Sequence, residues 1–203
     1  YERSLPMAKA LHPDTLLAYE MNEEPLPTAH GFPLRLLVSG WYGMNSVKWL
    51  AGIHVLDHEF KGFYMTERYM TQNEPGSPIP YTYYTRMKVK SIITSPVPGE
   101  TLPAGGYTLA GAAWSGEQEV VKVEISADGG DTWSPVDTLH PREGYSWYRW
   151  EHRWQPASPG NYTLMCRATN NLGDTQPMEF PNKWDGRGYG NNMVFPVDVE
   201  VRS

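Results

Sequence analysis

Val120-Val121-Lys122-Val123-Glu124-Ile125-Ser126-Ala127-Asp128-Gly129-Gly130-Asp131-Thr132-Trp133 decides how the chain folds. Val121, Val123 and Ile125 alternate with Lys122 and Glu124, the period of a strand that buries one face. Asp128, Gly129 and Gly130 then supply a tight hairpin turn, with Trp133 expected to pack beneath it. The turn matches the Asp-box pattern of sialidases, but a propeller needs several copies and one copy is one turn.

Short strands continue in both directions. Val89–Thr94 and Tyr107–Gly111 precede this stretch, and Trp147–Glu151, Tyr162–Ala168 and Val194–Val201 follow it. Turn residues separate nearly every pair, which is the spacing of an immunoglobulin-like sandwich. The single cysteine, Cys166, excludes an antibody-type domain, which pairs two.

Residues 1–84 read differently. Ser4 is placed to cap a short helix through Met7–Leu11, ended by His12-Pro13. Leu16–Glu20, Pro33–Val38 and Val47–Val55 read as strands, with a turn at Asn22-Glu23-Glu24-Pro25 and a glycine-flanked loop at Ser39–Gly43. The Pro/Gly-rich residues 73–80 read as a crossing between domains. The expected fold class is a mixed α/β segment over 1–84 followed by an all-β immunoglobulin-like sandwich over 85–203.

Composition bounds the function. The 203 residues suffice for one large domain or two small ones, and Gly 19 with Pro 18 favours turns and β structure. A net charge of -6 excludes a sequence-independent nucleic-acid binder, so any anion must be held by locally placed Arg, Lys or backbone N–H groups. One cysteine permits neither an intrachain disulfide nor a Cys-rich zinc site. No apolar stretch is long enough to span a bilayer. Tyr1–Pro6 is not a signal peptide and lacks a starting Met, the pattern of a mature or cut end.

Several stretches carry candidate chemistry. His54 and His58 are four apart, but they continue a strand pattern and lack the Glu that follows the first His in zinc proteases, so they read as strand-end residues. Asn161-Tyr162-Thr163 is a formal glycosylation sequon. Cys166 sits mid-strand among apolar neighbours and reads as a buried structural thiol. Gly186–Asn192 is a glycine-rich loop whose Arg187 is an anion contact or an ordinary loop residue. Most informative is His30-Gly31-Phe32-Pro33-Leu34-Arg35, followed by Gly40-Trp41-Tyr42-Gly43 and Val47-Lys48-Trp49-Leu50. His, Arg and Lys around glycines suit a phosphate-bearing cofactor; two core strands joined by a turn would look the same.

Those motifs, with Ala18-Tyr19-Glu20-Met21-Asn22 and Pro25-Leu26-Pro27, resemble the sulfite oxidase family, which includes the assimilatory nitrate reductases. Ser91–Thr94, Ala113-Trp114-Ser115-Gly116, Val121–Gly130, Arg167-Ala168-Thr169 and Gln176-Pro177 resemble that family's C-terminal dimerisation domain. The resemblance covers nearly the whole chain. It implies that His30, Arg35 and Lys48 hold molybdopterin, that Tyr69 is the active-site tyrosine and that Arg187 binds the substrate oxyanion. Trp184-Asp185-Gly186-Arg187-Gly188 stands where the family pattern is Trp-Asn-Leu-Arg-Gly. The implied reaction is oxidation of sulfite to sulfate by oxo transfer, with electrons passed to a cytochrome, in a homodimer. The Gly40–Gly43 and Gly188–Asn192 loops look more like prokaryotic members, and the periplasm follows by analogy.

The family ligates molybdenum through a cysteine thiolate in the N-terminal part of its cofactor domain, beside another substrate-binding arginine. Nothing in the chain matches that part, so the expectation is a C-terminal portion, inactive in isolation, that depends on an absent N-terminal half. The rival readings are a nitrate reductase or sulfane dehydrogenase-type subunit on the same scaffold, and a non-catalytic dimerisation or binding module.

Overall fold

The computed structural model describes residues 1–72, 77–79, 81–179 and 188–203. The chain divides into two compact units. The first holds Tyr1–Met87 and, of the returning segment Asn182–Gly190, the described residues 188–190. The second holds Lys88–Pro181 and Asn191–Ser203.

The first unit is a mixed segment with little regular structure. One short helix, α1 (Met7–Ala10), starts at Pro6 with no side-chain cap, so Ser4 does not cap it as expected. Proline serves there because the first helical N–H groups have no intrahelical acceptor. Strands β1 (Thr15–Ala18), β2 (Glu20–Met21), β3 (Glu24–Pro25) and β4 (Arg35–Val38) follow. β1 pairs antiparallel with β4, and β2 with β3. Asn22 and Glu23 make the β2–β3 turn with φ of 55° and 66°, the two left-handed residues of a tight hairpin.

The expected strand Val47–Val55 is not formed. Leu36 N donates to Val47 O and Leu50 N to Leu34 O, so the stretch runs along β4. Trp49 has a φ of 52°, which takes the backbone out of the extended region and ends any ladder. The expected domain crossing at 73–80 is also corrected. β5 (Met70–Gln72) and β6 (Tyr81–Tyr83), on either side of it, pair antiparallel within the first unit. Residues 73–76 and 80 themselves lie outside the described residues.

The second unit is a two-sheet β-sandwich. Its strands are β7 (Lys90–Ser95), β8 (Thr101–Pro103), β9 (Tyr107–Trp114), β10 (Val120–Ser126), β11 (Ser134–Pro135), β12 (Thr138–Leu139), β13 (Tyr148–Trp154), β14 (Gly160–Asn170) and β15 (Val197–Arg202). One sheet has the order β11-β10-β14-β15-β8 and the other β12-β13-β9-β7. The core between them includes Leu109, Val123, Ile125, Trp150, Leu164, Cys166 and Val199. Trp150 stands opposite Gly111, where any Cβ would run into its indole ring and the Ile92 carbonyl. Its Nε1 donates to Ser91 Oγ at 2.9 Å, which satisfies the one polar atom this side chain buries.

β10 departs from its expected alternation in one respect. Its register against β14 shifts between Val120 and Lys122, so Val120 is buried and Val121 is exposed. One extra residue in a strand reverses the face of what precedes it. Beyond the strand, Asp128 accepts from Ser126 Oγ at 2.6 Å and from Thr132 N at 3.0 Å, while Gly129 and Gly130 have φ of 76° and 101°. This is the expected hairpin. Trp133 closes it by donating from Nε1 to Gly130 O, and carries the Arg167 guanidinium 4.2 Å from its ring centre.

Candidate functional site

Chain direction around Gly31 builds the first group. A short 3-10 turn over Thr28–His30 ends at Gly31, whose φ of 113° is open to glycine and strained for other residues. β4 then begins at Arg35, and Lys48 arrives on the stretch that runs along β4. Arg35 donates from Nη1 to His30 O at 3.0 Å, and Lys48 donates from Nζ to Ala29 O at 2.9 Å. Trp49 donates from Nε1 to Thr28 O, with Lys48 Nζ lying 4.8 Å from its ring centre. The structure therefore brings His30, Arg35 and Lys48 together about one glycine.

Three features suit this group to an anionic, flat ligand. A Cβ on Gly31 would stand 3.1 Å from the Cβ atoms of both Arg35 and Lys48, so the glycine keeps the approach open. Arg35 Nε is buried with no hydrogen-bond partner among the described residues, a donor awaiting an acceptor. Neither Arg35 nor Lys48 has a carboxylate partner among the described residues. The residues thus fit a phosphate-bearing pterin. Trp49, which sequence reasoning passed over as a strand residue, contributes a left-handed backbone and an exposed ring. Such backbone is found disproportionately at ligand sites.

Tyr69 belongs to a second group within the same unit. It ends a π-helical turn over Tyr64–Arg68, a helix form often found at functional sites. Its ring meets Tyr189 edge-on at 4.9 Å, stacks with Tyr64 at 6.2 Å and lies 6.4 Å from Tyr1. Burial, then the neighbouring phenols, push the Tyr69 hydroxyl above its ordinary pKa, so it stays protonated and able to donate. Arg3 places its guanidinium carbon 5.7 Å from the Tyr69 ring centre. Sequence reasoning missed Arg3, Tyr1, Tyr64 and Tyr189, which no local motif marks.

The remaining candidates separate from these groups. Arg187 lies outside the described residues. His54 and His58 stand in a stretch without regular structure, and His58 Nδ1 meets only its neighbour Asp57 at 2.8 Å. Among the described residues no three His, Cys, Asp or Glu side chains gather as a metal site. Cys166 is 2% exposed in the sandwich core, and burial pushes its thiol up to about 12. It is a protonated core side chain.

A cation-lined glycine cradle in a mixed segment is followed by a β-sandwich, and two family models match the chain in that order. Residues 1–64 match the oxidoreductase molybdopterin binding domain, and residues 82–202 match the Mo-co oxidoreductase dimerisation domain. Tyr69 lies between the two matched stretches. The chain belongs to the sulfite oxidase family of molybdenum-cofactor oxidoreductases.

Mitochondrial sulfite oxidase of Homo sapiens is 34% identical over 218 residues, covering 99% of this chain and 39% of that protein. The NADH nitrate reductase of Ulva prolifera is 31% identical over 219 residues, covering 96% of this chain and 25% of that protein. Among solved structures, the sulfane dehydrogenase SoxCD of Paracoccus pantotrophus superposes with a TM-score of 0.79 at 28% identity, covering 95% of this chain and 50% of that one. The chain thus spans about two-fifths of the sulfite oxidase it matches. No helix of the described residues is long and apolar enough to cross a membrane.

Proposed function

We propose that this chain is the C-terminal part of a molybdenum-cofactor enzyme that oxidises sulfite to sulfate and passes the electrons to a cytochrome. The observation that carries the reading is the convergence of Arg35 and Lys48 on Gly31, with Arg35 Nε left without an acceptor. When bound, the molybdenum cofactor supplies oxo transfer and the redox chemistry.

The chain's own residues bind and orient. Arg35 and Lys48 hold the anionic edge of the pterin by charge-assisted hydrogen bonds, and His30 bounds the same cradle. Tyr69 keeps its proton and offers it as a hydrogen bond beside the reacting oxygen. Arg187 contributes a guanidinium to the substrate oxyanion. The metal-ligating cysteine comes from polypeptide beyond these 203 residues, since Cys166 is committed to the core. The sandwich makes the homodimer, in keeping with its match to a dimerisation domain, and the enzyme works in the periplasm.

The SoxCD likeness favours a sulfur substrate for a second reading, a sulfane dehydrogenase-type subunit. The test is to purify the chain together with a polypeptide carrying the rest of the cofactor domain. Bound molybdenum and pterin are measured first, then cytochrome reduction with sulfite, thiosulfate or nitrate as the varied reactant. Sulfite-dependent reduction is expected. Molybdenum without sulfite turnover would transfer the function to one of the relatives, and absence of molybdenum would leave a binding module.

A further inference from the structure

Gln176 is held in the sandwich by hydrogen bonds on both sides of its amide. It is 3% exposed and follows β14 so closely that its backbone N–H donates to Ala168 O. Its Oε1 accepts from Ser91 N of β7 at 2.6 Å and from Ala168 N of β14 at 2.9 Å, so one oxygen joins the two sheets. On the other side Nε2 shares its two protons among Asn192 O at 3.1 Å, Ser91 O at 3.4 Å and Met193 O at 3.5 Å. A carboxamide suits this place because it accepts on one side and donates on the other. A carboxylate would set negative oxygens against carbonyls, and a hydrocarbon would leave the buried N–H groups of Ser91 and Ala168 without that acceptor.

The chain leaves the second unit after this residue and re-enters it at Asn191. Pro177 O accepts from Val194 N at 2.9 Å, which closes the base of the excursion beside the bond from Gln176 to Asn192. Asn192, itself buried, donates from Nδ2 to Val89 O at 3.1 Å and ties the base to the chain just before β7. Three residues before Asn192, and within the first unit, Tyr189 meets the Tyr69 ring edge-on at 4.9 Å. The next residue, Gly190, passes Tyr84 so closely that a Cβ would stand 2.5 Å from its ring. Three residues reach about 10 Å at full extension, too short a length of chain to absorb a displaced base.

We propose that Gln176 is a positioning residue: its amide closes the base of the excursion and so fixes the Tyr189 ring against Tyr69. Its side-chain bonds end on residues of the second unit, and its effect on Tyr69 passes along the chain from Asn192 to Tyr189. The part Tyr69 plays in turnover rests on the reaction proposed above; the closed base and the ring contact do not. A merely structural Gln176 would hold the two sheets together and leave the ring contact to the first unit alone.

The test uses the 203-residue chain with tyrosine ring-labelled for NMR, and Tyr69→Phe and Tyr189→Phe assign the two ring signals. The nuclear Overhauser contact between the rings reports position. Amide exchange in β9 and β13 reports the integrity of the sandwich. Gln176→Met removes both sides of the amide and should abolish the ring contact while those strands keep their protection. A ring contact retained in the folded variant, or lost only together with β9 and β13 protection, overturns the proposal. If Gln176→Met does not fold, Gln176→Glu decides, as one protein compared with itself at about pH 5 and about pH 9. Its neutral acid can donate to Asn192 O and its carboxylate cannot, so the ring contact should be present in acid and lost in base. Equal contact at both pH values overturns the proposal. In the assembled enzyme Gln176→Met should lower kcat about tenfold with KM for sulfite nearly unchanged, since Tyr69 acts on the bound reactant. Loss of the ring contact in a chain whose assembled form does not oxidise sulfite would retain the positioning role and remove the proposed reaction. Wild-type sulfite turnover by Gln176→Met with the contact intact would do the reverse.

Discussion

Arg35 and Lys48 approach Gly31 from two sides so closely that a Cβ at residue 31 would lie 3.1 Å from the Cβ of each. The glycine is needed twice, for that crowding and for its φ of 113°. Gly31→Ala must therefore strain the backbone and push both cations apart. The expected loss is roughly 2 kcal/mol, from about 1–2 for the left-handed backbone and a share of the 1–3 typical of overpacking. Thermal unfolding should show a lowered Tm for the first unit. An unshifted Tm would mean that the cradle is looser than these distances imply.

Arg35 and Lys48 should not be equivalent toward the cofactor. Arg35 Nε is a buried donor lacking an acceptor, whereas Lys48 is exposed and already bonded to Ala29 O. Arg35→Lys removes the fork and should cut pterin retention about tenfold or more, while Lys48→Gln should cut it less. Pterin released by denaturation and read by fluorescence orders the two variants. The reverse order would move the principal contact to Lys48.

The strands of the sandwich were legible because their signals are local. β10 and β14 declare themselves by apolar spacing, and the turn between β10 and β11 by Asp128-Gly129-Gly130. Val121 was misplaced because the register shift at Val120/Lys122 depends on the partner strand, which a single strand's pattern does not encode. Val47–Val55 failed as a strand because Trp49 adopts a left-handed φ that its residue type disfavours. His30, Arg35 and Lys48 were readable as one group since they lie within nineteen residues about a glycine. The Arg3 group was not, because Tyr1, Arg3, Tyr64, Tyr69 and Tyr189 meet only in three dimensions.

Acid should act first through the β10 region. Hydrogen bonds from Ser126 and then Thr132 hold the Asp128 carboxyl far below its ordinary range. At Glu124 burial favours the neutral form, but Arg167 at 2.9 Å and Lys122 at 3.1 Å outweigh it, and the net shift is downward. Both folded-state pKa values are depressed, so the stability they confer is complete above the unfolded value of about 4 and is lost as pH falls below it. The denaturant midpoint should be flat above about pH 5 and decline below about pH 4. Asp128→Asn should start lower and decline less. Equal slopes for the two proteins would assign the acid response elsewhere.

Cys166 tests the division of labour between the two units. It lies opposite Ile125 inside the sandwich, where burial pushes the thiol up to about 12 against a small opposing effect of Ser91. A folded pKa raised above the unfolded value of about 8.5 confers stability that is complete below that pH and is lost as pH rises toward the folded value. The thiol should resist disulfide reagents at neutral pH and react once denaturant opens the sandwich. Cys166→Ala should cost roughly 1 kcal/mol, as a small cavity does, and leave the molybdenum content of the assembled enzyme unchanged. Loss of the metal from a folded Cys166→Ala protein would overturn the proposal that the ligand cysteine lies outside this chain, because the sequence contains no other cysteine to take its place.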